Sequence, residues 1–330
     1  MNNLPFVSII IPSRNEEKHI RKCLDSVISN DYPKSNFEIL IVDGLSQDNT
    51  RKIIKEYQNK YPFIKFFDNL KKFTCFAWNI GINNSKGEII VLMSAHAVYD
   101  KNYISKSVKY LKKYNLDNVG GIRKTISENN IVSKAISFSL SHIFGAGNSY
   151  FKTGFKKPRS VDTVFGGCYK KEIFKKIGLF NENLFRSQDM EFNLRLKKNK
   201  GKIFLFPDII SYYYPKDNLK DFLIHNFKNG VWAIYPLKFV KTPLRLRHYI
   251  PLFFVLSLLS TIILGIFYSI FSWIFLFIIG LYFLATIYFS IEIVLKEKNI
   301  IFFLLTPLVF SIRHVGYGLG SIYGLIKIFF

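Results

Sequence analysis

The sequence predicts an α/β domain on a mostly parallel sheet, followed by C-terminal membrane helices. Three observations carry this. Short apolar runs alternate with segments of helical periodicity through the N-terminal third. From Tyr249 to Ile291 no residue is charged, a stretch of 43. The excess of 46 Lys and Arg over 23 Asp and Glu, a net charge of +23, lies almost wholly upstream of that stretch. A chain of 330 residues, 49% hydrophobic and 21% charged, is thereby neither disordered nor wholly membrane, and a purely soluble protein is excluded.

Phe6–Pro12 is almost wholly apolar and closed by Pro, which reads as a buried parallel strand. Glu16–Ser29 sets Ile20, Cys23, Leu24, Val27 and Ile28 at helical spacing, with Ser13 or Asn15 as N-cap. Glu38–Val42 is a second buried strand, and Ile53, Ile54 and Tyr57 mark the helix after it. Ile64–Phe67 and Glu88–Met93 read as further strands, with Thr74–Asn84 helical between them and a helix at Ile104, Val108 and Leu111. After Val119–Gly121 the pattern loosens: Ile131–Phe144 is amphipathic and Gly145–Ser160 reads as a mobile loop. Order returns at Val164–Gly167, in a helix near Lys170–Ile177 stopped by Gly178, and in a helix from about Asp189 to Lys198.

The uncharged stretch suits two spans, about 249–268 and 272–291, of ~20 residues each with a turn near Ser269–Ser272. Basic residues flank the pair: Lys238, Lys241, Arg245 and Arg247 before, Lys296 and Lys298 after. The positive-inside rule puts both flanks in the cytoplasm. A third hydrophobic element, about 300–327, is interrupted by Arg313 and His314 and reads equally as a span or as a re-entrant or interfacial piece. Gly316, Gly320 and Gly324 there suit close helix packing. The expected domains are residues 1–236 and a membrane domain, 237–330. The N-terminus lacks the pattern of a signal peptide, so the first domain is expected on the cytoplasmic side of a multi-pass protein of the cell inner membrane.

Cys23, Cys75 and Cys168 form no CxxC pair, which argues against a disulfide framework or zinc site. The basic charge points to anionic lipid or phosphate-bearing ligands; no basic run interleaved with aromatics suggests nucleic acid. Ligands of open α/β sheets bind beyond the carboxyl ends of the strands. There stand Ser13-Arg14-Asn15-Glu16, Asp43-Gly44 and Ser94-Ala95-His96. No glycine-rich phosphate loop follows the first strand, which disfavours a dehydrogenase or P-loop nucleotide site.

VSIIIPSRNEEKHIRKCLDSV, EILIVDGLSQDNT and WNIGINNSKGEIIVLMSAHA resemble the family 2 glycosyltransferases of GT-A fold. VDTVFGGCYKKEIFKKIGLFNENLFRSQDMEFNLRLKKNKGKI, YYYPKDNLKDFLIHNFKNGVW and RHVGYGLGSIYGL resemble, more narrowly, the membrane-bound glycosyltransferases of succinoglycan-type exopolysaccharide synthesis. The resemblance implies a nucleotide pocket at Pro12, Arg14, Asn15 and Glu16, with Asp43 on the base or ribose and Asn69 and Lys72 near the donor. Outside the family, Asp43 is equally a turn acid or helix N-cap, and Lys72 a solvated charge. Ser94-Ala95-His96 takes the place of the DxD-type motif that holds the donor diphosphate through a divalent metal, Mn²⁺ or Mg²⁺. Ser94 replaces the usual first acid, and neutral imidazole at His96 suits Mn²⁺ better than Mg²⁺.

Ser187-Gln188-Asp189-Met190-Glu191 matches the family's later acidic motif and implies Asp189 as catalytic base. An inverting displacement needs one, because the acceptor hydroxyl loses its proton as it attacks. On a helix Asp189 and Glu191 point about 200° apart, and Glu191 has Arg195 at i+4 as a structural partner. The N-cap of the same helix is the alternative role for Asp189. Gly166, Gly167, Gln188 and Trp232 fall on the acceptor side by resemblance, with a plain turn as the alternative for the glycines and a membrane-interface position for Trp232. Basic residues in Lys152–Arg159 are candidates to attract a lipid diphosphate, against a default of solvated charge.

The expectation is thus an inverting hexosyltransferase. It uses a UDP- or GDP-sugar and a membrane-borne, polyprenyl-diphosphate-linked glycan acceptor, in exopolysaccharide or surface-polysaccharide synthesis. The rivals are a catalytically silent membrane-bound assembly subunit, which Ser94 favours, and a processive synthase, which needs more spans.

Overall fold

A computed structural model of the chain describes residues 4–127, 130–238 and 246–330. It contains two compact units. One comprises 1–124 and 154–214, the other 125–153 and 215–330. The boundary at Tyr214 lies ahead of the 236 expected from the sequence, because helix Leu219–Ile234 packs along helix Ile301–Phe329. Gly230, Gly316 and Gly320 make that packing possible. A Cβ on Gly230 would stand 2.0 Å from the Tyr317 carbonyl, and one on Gly320 2.0 Å from that of Phe227.

The first unit is built on a nine-stranded sheet: β1 Val7–Ser13, β2 Phe37–Asp43, β3 Ile64–Asp68, β4 Ile89–Leu92, β5 Ala97–Tyr99, β6 Asn118–Thr125, β7 Arg159–Ser160, β8 Gly167–Lys170 and β9 Ile203–Tyr213. The spatial order is β3-β2-β1-β4-β8-β6-β9-β5, with β7 on β9. The first four strands are parallel, in register from Val7↔Phe37 to Ser13↔Asp43. They are continuous apolar runs because helices cover both faces: Ile9, Ile10, Ile11, Ile39, Leu40 and Ile41 are all fully buried. β4 meets β8 antiparallel, Leu92 opposite Gly167, and β6 with β8, β5 with β9 and β7 with β9 are likewise antiparallel.

The expected elements of the parallel half stand within a few residues of their predicted bounds. The first helix begins at Ile20 rather than Glu16, since Asn15 takes a left-handed φ of 54° and 16–19 form a turn. Beyond Gly121 the structure is more regular than expected. β6 runs on to Thr125, β9 is eleven residues long, and Gly145–Ser160 holds helix Tyr150–Thr153 and β7. All three cysteines are free and buried, and burial pushes the Cys75 thiol up to about 11, so none is poised to react.

The second unit contains helices Ile131–Ser141, Ile143–Ala146, Leu219–Ile234, Ile250–Gly265, Ser269–Glu297 and Ile301–Phe329. Ser269–Glu297 and Ile301–Phe329 are each 29 residues, long and apolar enough to cross a membrane. The first expected span, 249–268, is corrected. Its helix has 16 residues, about 24 Å, short of a ~30 Å hydrocarbon core. The second extends beyond 272–291 at both ends. The third element is one continuous helix through Pro307, Arg313 and His314, because the protein itself solvates the polar pair. Arg313 Nε donates to the Gly145 carbonyl at 2.6 Å, and the His314 ring nitrogens lie 3.0 Å from the Tyr282 hydroxyl and the Phe144 carbonyl. Lys241 and Arg245 lie outside the described residues.

Candidate active site

The carboxyl ends of β1, β2 and β3 build the first wall. Ser13 closes β1, and the left-handed Asn15 turns the chain across β2's loop, its Oδ1 accepting from Gln47 N at 2.9 Å while its N–H donates to Ser46 Oγ. Arg14 lies exposed with its Cδ 3.2 Å from where a Cβ of Gly44 would stand; the Lys72 backbone is equally close on the other side. Arg14, Gly44, Asn69 and Lys72 thus lie together at the ends of these strands. Lys72 holds a φ of 66° and is fully exposed; Asn69 is buried, its Oδ1 without a hydrogen-bond partner. Pro12 is half-buried at the end of the register, opposite Val42.

Asp43 is placed as the turn acid that the sequence left as its alternative. It is fully buried. Oδ1 accepts from Ser13 Oγ at 3.1 Å and from Ser46 Oγ at 2.5 Å; Oδ2 accepts from Ser46 N at 2.9 Å and from Arg51 Nη1 at 3.0 Å. Four protein donors saturate it. Arg51 is fixed in turn by Asp68 at 2.7 Å and lies over the Phe66 ring.

The end of β4 supplies the second wall. His96 Nδ1 lies 2.9 Å from Glu16 Oε1, and Nε2 lies 3.2 Å from Ser94 Oγ. Ser94 N donates to the buried Tyr99 hydroxyl at 2.6 Å, and Ala95 is buried, so the tripeptide is held from behind. The carboxylate orients the imidazole with Nε2 toward Ser94, the arrangement of a carboxylate–histidine pair that presents one ring nitrogen to a cation. Among the described residues no three His, Cys, Asp or Glu cluster as a complete metal site. An imidazole nitrogen beside a carboxylate is a donor type that Mn²⁺ accepts, so His96 and Glu16 are the residues that could share such an ion with a ligand's own oxygens.

Gly166 and Gly167 adjoin this end of β4. Their φ values are 68° and 122°, and a Cβ on Gly166 would meet the Leu92 carbonyl at 2.4 Å. Only glycine lets β8 begin so close to β4. Tyr169, on β8, donates to Asn193 Oδ1 at 3.2 Å; burial, and after it the charge of Asp189, raise its phenol well above the ordinary value. Asp189 is half-buried in the first turn of helix Gln188–Lys198, behind Ser187 at a left-handed φ of 59°. Glu191 is the buried structural acid expected: Arg195 Nε and Nη2 grip it at 2.9 and 3.0 Å. Gln188 is buried and its Oε1 has no hydrogen-bond partner. Trp232 belongs to the other unit, edge-on to Tyr235 at 5.4 Å.

Sequence reasoning missed Arg123, Arg186 and Tyr213. Tyr213 sets its ring 5.2 Å from that of His96, and the Arg123 guanidinium lies 4.3 Å over its other neighbourhood, with Phe165 at 5.2 Å. Burial lowers both guanidiniums and raises the Tyr213 phenol, although Arg123 and Arg186 pull the phenol down. Nothing local marked Arg123, which falls where periodicity fades. A cavity of about 480 Å³ lined by Pro5, Gly87, Lys170, Lys171 and Lys175 opens at the amino ends of β1 and β4, the wrong edge for this chemistry.

Comparison with known proteins agrees with this geometry. Residues 8–178 match "Glycosyl transferase family 2". The chain belongs to that family. It is 34% identical, over 98% of both chains, to the dolichyl N-acetyl-alpha-D-glucosaminyl phosphate 3-beta-D-2,3-diacetamido-2,3-dideoxy-beta-D-glucuronosyltransferase of Methanococcus voltae. It is 25% identical to the succinoglycan biosynthesis protein ExoA of Rhizobium meliloti, over 69% of this chain and 74% of that one. The mannosyltransferase PcManGT of Pyrobaculum calidifontis, solved with GDP-Man and Mn²⁺, superposes with a TM-score of 0.61 at 15% identity, covering 99% of this chain and 88% of its own. This family 2 member is a glycosyltransferase of GT-A fold.

Proposed function

We propose that this glycosyltransferase moves a hexose-type sugar from a nucleotide diphosphate to a hydroxyl of a lipid-phosphate-linked glycan, with inversion. The observation that carries the reading is the Glu16–His96–Ser94 array at the end of β4, in the unit that also holds Asp189. The nucleoside lies on Arg14, Gly44, Asn69 and Lys72, where the buried Asn69 Oδ1 awaits a donor from the ligand. His96 would hold a divalent ion, which when bound would offset charge on the departing diphosphate. Glu16 holds the imidazole by Nδ1, with Nε2 turned toward Ser94 Oγ.

Asp189 takes the proton of the acceptor hydroxyl as its oxygen bonds to the anomeric carbon; the bond from that carbon to the diphosphate oxygen breaks on the opposite face. Asp189 stands in the first turn of helix Gln188–Lys198, and a carboxylate base is the group such an attack requires. Gln188, with its buried Oε1, meets the acceptor. The relative in Methanococcus voltae is named for a dolichyl phosphate-linked acceptor, and the long apolar helices of the second unit suit an enzyme held at the membrane where such a lipid resides. The catalytic unit is then cytoplasmic, and each encounter adds one sugar.

The test is transfer from UDP- and GDP-sugars to lipid-linked acceptor in purified membranes, with and without Mn²⁺. Asp189→Asn should abolish transfer and keep nucleotide-sugar binding; undiminished transfer sinks the assignment.

A further inference from the structure

Two exposed rings join the turn that carries Asn69 and Lys72 to the segment that leads into Asp189. Phe73 and Phe185 stack with centroids 3.8 Å apart and planes 7° from parallel, yet they stay 39% and 40% exposed. Phenylalanine is usually an interior residue. Burial in the core therefore does not account for this pair; the stretches of chain that the two rings connect do.

Phe73 closes the donor-side turn. Asn69 N donates to the Asp43 carbonyl at 2.7 Å, and Asn69 Nδ2 donates to the Phe73 carbonyl at 2.9 Å, so the turn is tied to β2 and to its own end. Lys72, at a φ of 66°, then sends the chain through Phe73 into helix Thr74–Asn84. Phe185 ends a second segment, fastened to that same helix. Asn79 is buried; its Nδ2 donates to the Phe180 carbonyl and to Glu182 Oε1, and its Oδ1 accepts from Phe180 N, all at 3.0 Å. Leu184 is fully buried. Past that anchor, Phe185, Arg186 and Ser187 lead into helix Gln188–Lys198, with Ser187 at its left-handed φ of 59°. The stack thus sits where the chain leaves its fixed part and steps toward Asp189.

We propose that Phe73 and Phe185 are positioning residues: their stack fixes the segment bearing Asp189 against the donor-side turn. This rests on the roles given above to Asp189 and to the Asn69–Lys72 turn. Stacked rings set both a separation and a plane, whereas an aliphatic contact lets two segments slide. A displaced base is costly, since about 1 Å can lose roughly 100-fold in rate. The stack therefore acts on kcat and not on donor binding.

The experiment makes two measurements on the full chain. The first needs no substrate: amide exchange across 185–189 should rise about tenfold in Phe73→Ala, with exchange in β1 and β2 unchanged. The second is transfer from UDP- and GDP-sugars in purified membranes. There kcat should fall about 10- to 100-fold in Phe73→Ala and in Phe185→Ala, with donor KM within about twofold. The double variant should lose no more than either single one, because both break the same contact. Phe185→Tyr, which keeps the ring, should restore the parent's kcat. Unchanged exchange in β1 and β2 shows that a variant is folded; if an alanine fails that control, Phe185→Leu, apolar but without the flat ring, should show the same loss of kcat and decides. Additive losses in the double variant, a Phe185→Tyr as slow as Phe185→Ala, or exchange across 185–189 unmoved by Phe73→Ala overturns the positioning role. If Asp189→Asn transfers as its parent does, the base assignment falls and this role with it. If Asp189→Asn is inactive while both alanines keep the parent's kcat, the base stands and the positioning role alone falls.

Discussion

Asp43 and Arg123 carry opposite charges in opposite halves of one sheet, and they are buried by opposite means. Asp43 ends β2 in the parallel half, its two oxygens saturated by two serines, a backbone N–H and Arg51. Arg123 sits on β6 in the antiparallel half, its guanidinium lying over the rings of Tyr213 and Phe165. A carboxylate whose lone pairs are all used inside the protein is scaffold. The Arg123 guanidinium lies on two aromatic faces, next to the ring that packs on His96. The difference teaches that burial of a charge beside a site does not by itself make it a ligand contact; what surrounds the two charges differs in kind, polar donors for one and ring faces for the other.

The largest effect lies between the halves. Asp189→Asn should lower kcat by about 10³-fold with donor affinity intact, in the range that general-base loss produces. Next is the scaffold charge. Asp43→Ala should cost about 3 kcal/mol in an unfolding titration, since it strands the buried Ser46 N–H and the Ser13 and Ser46 hydroxyls. A variant as stable as its parent but deaf to nucleotide sugar would move Asp43 from scaffold to pocket and break the contrast. Glu16→Gln should weaken Mn²⁺ activation some 10- to 100-fold, read from the metal titration of transfer, because the amide no longer fixes the His96 tautomer. Arg123→Met should reduce kcat/KM about tenfold with little change in Tm; lost stability with unchanged kcat/KM would class it with Asp43.

The smallest effect is a pH dependence. Burial raises the Glu38 carboxyl, but Lys65 Nζ at 2.6 Å, the Lys86 N–H and the Ser8 hydroxyl outweigh it and hold it below its ordinary 4.5. A depressed carboxyl contributes stability that is complete above 4.5 and is lost as pH falls through the lower folded value. Glu38→Gln should therefore flatten the acid limb of the stability curve by about 1 kcal/mol, leaving neutral-pH activity alone.

Much of the parallel half was legible because each strand is a local apolar run and each candidate site residue follows its strand directly: Arg14 after β1, Ser94 and His96 after β4. Asp189 and Glu191 were separable too, since helical geometry assigns Arg195 to one of them. Arg123 and Tyr213 were not. Their meeting depends on β6 and β9 lying side by side in the sheet, a neighbourhood made by residues some ninety positions apart. The apolar C-terminal helices show the same limit. Lack of charge located them, but where Ile250–Gly265 stops and how Arg313 continues a helix depended on contacts outside their own segments.

By itself the sequence determined the family, the alternation of strand and helix, the apolar C-terminal helices and the order of the polar turns at the strand ends, since each is written in neighbouring side chains. Only the tertiary structure decided that Asp43 is spent on its own loop, that His96 is aimed by Glu16, and that Arg313 bonds to the Gly145 carbonyl. Those are questions of which hydrogen-bond partner lies within about 3 Å, and the chain path alone brings such partners together.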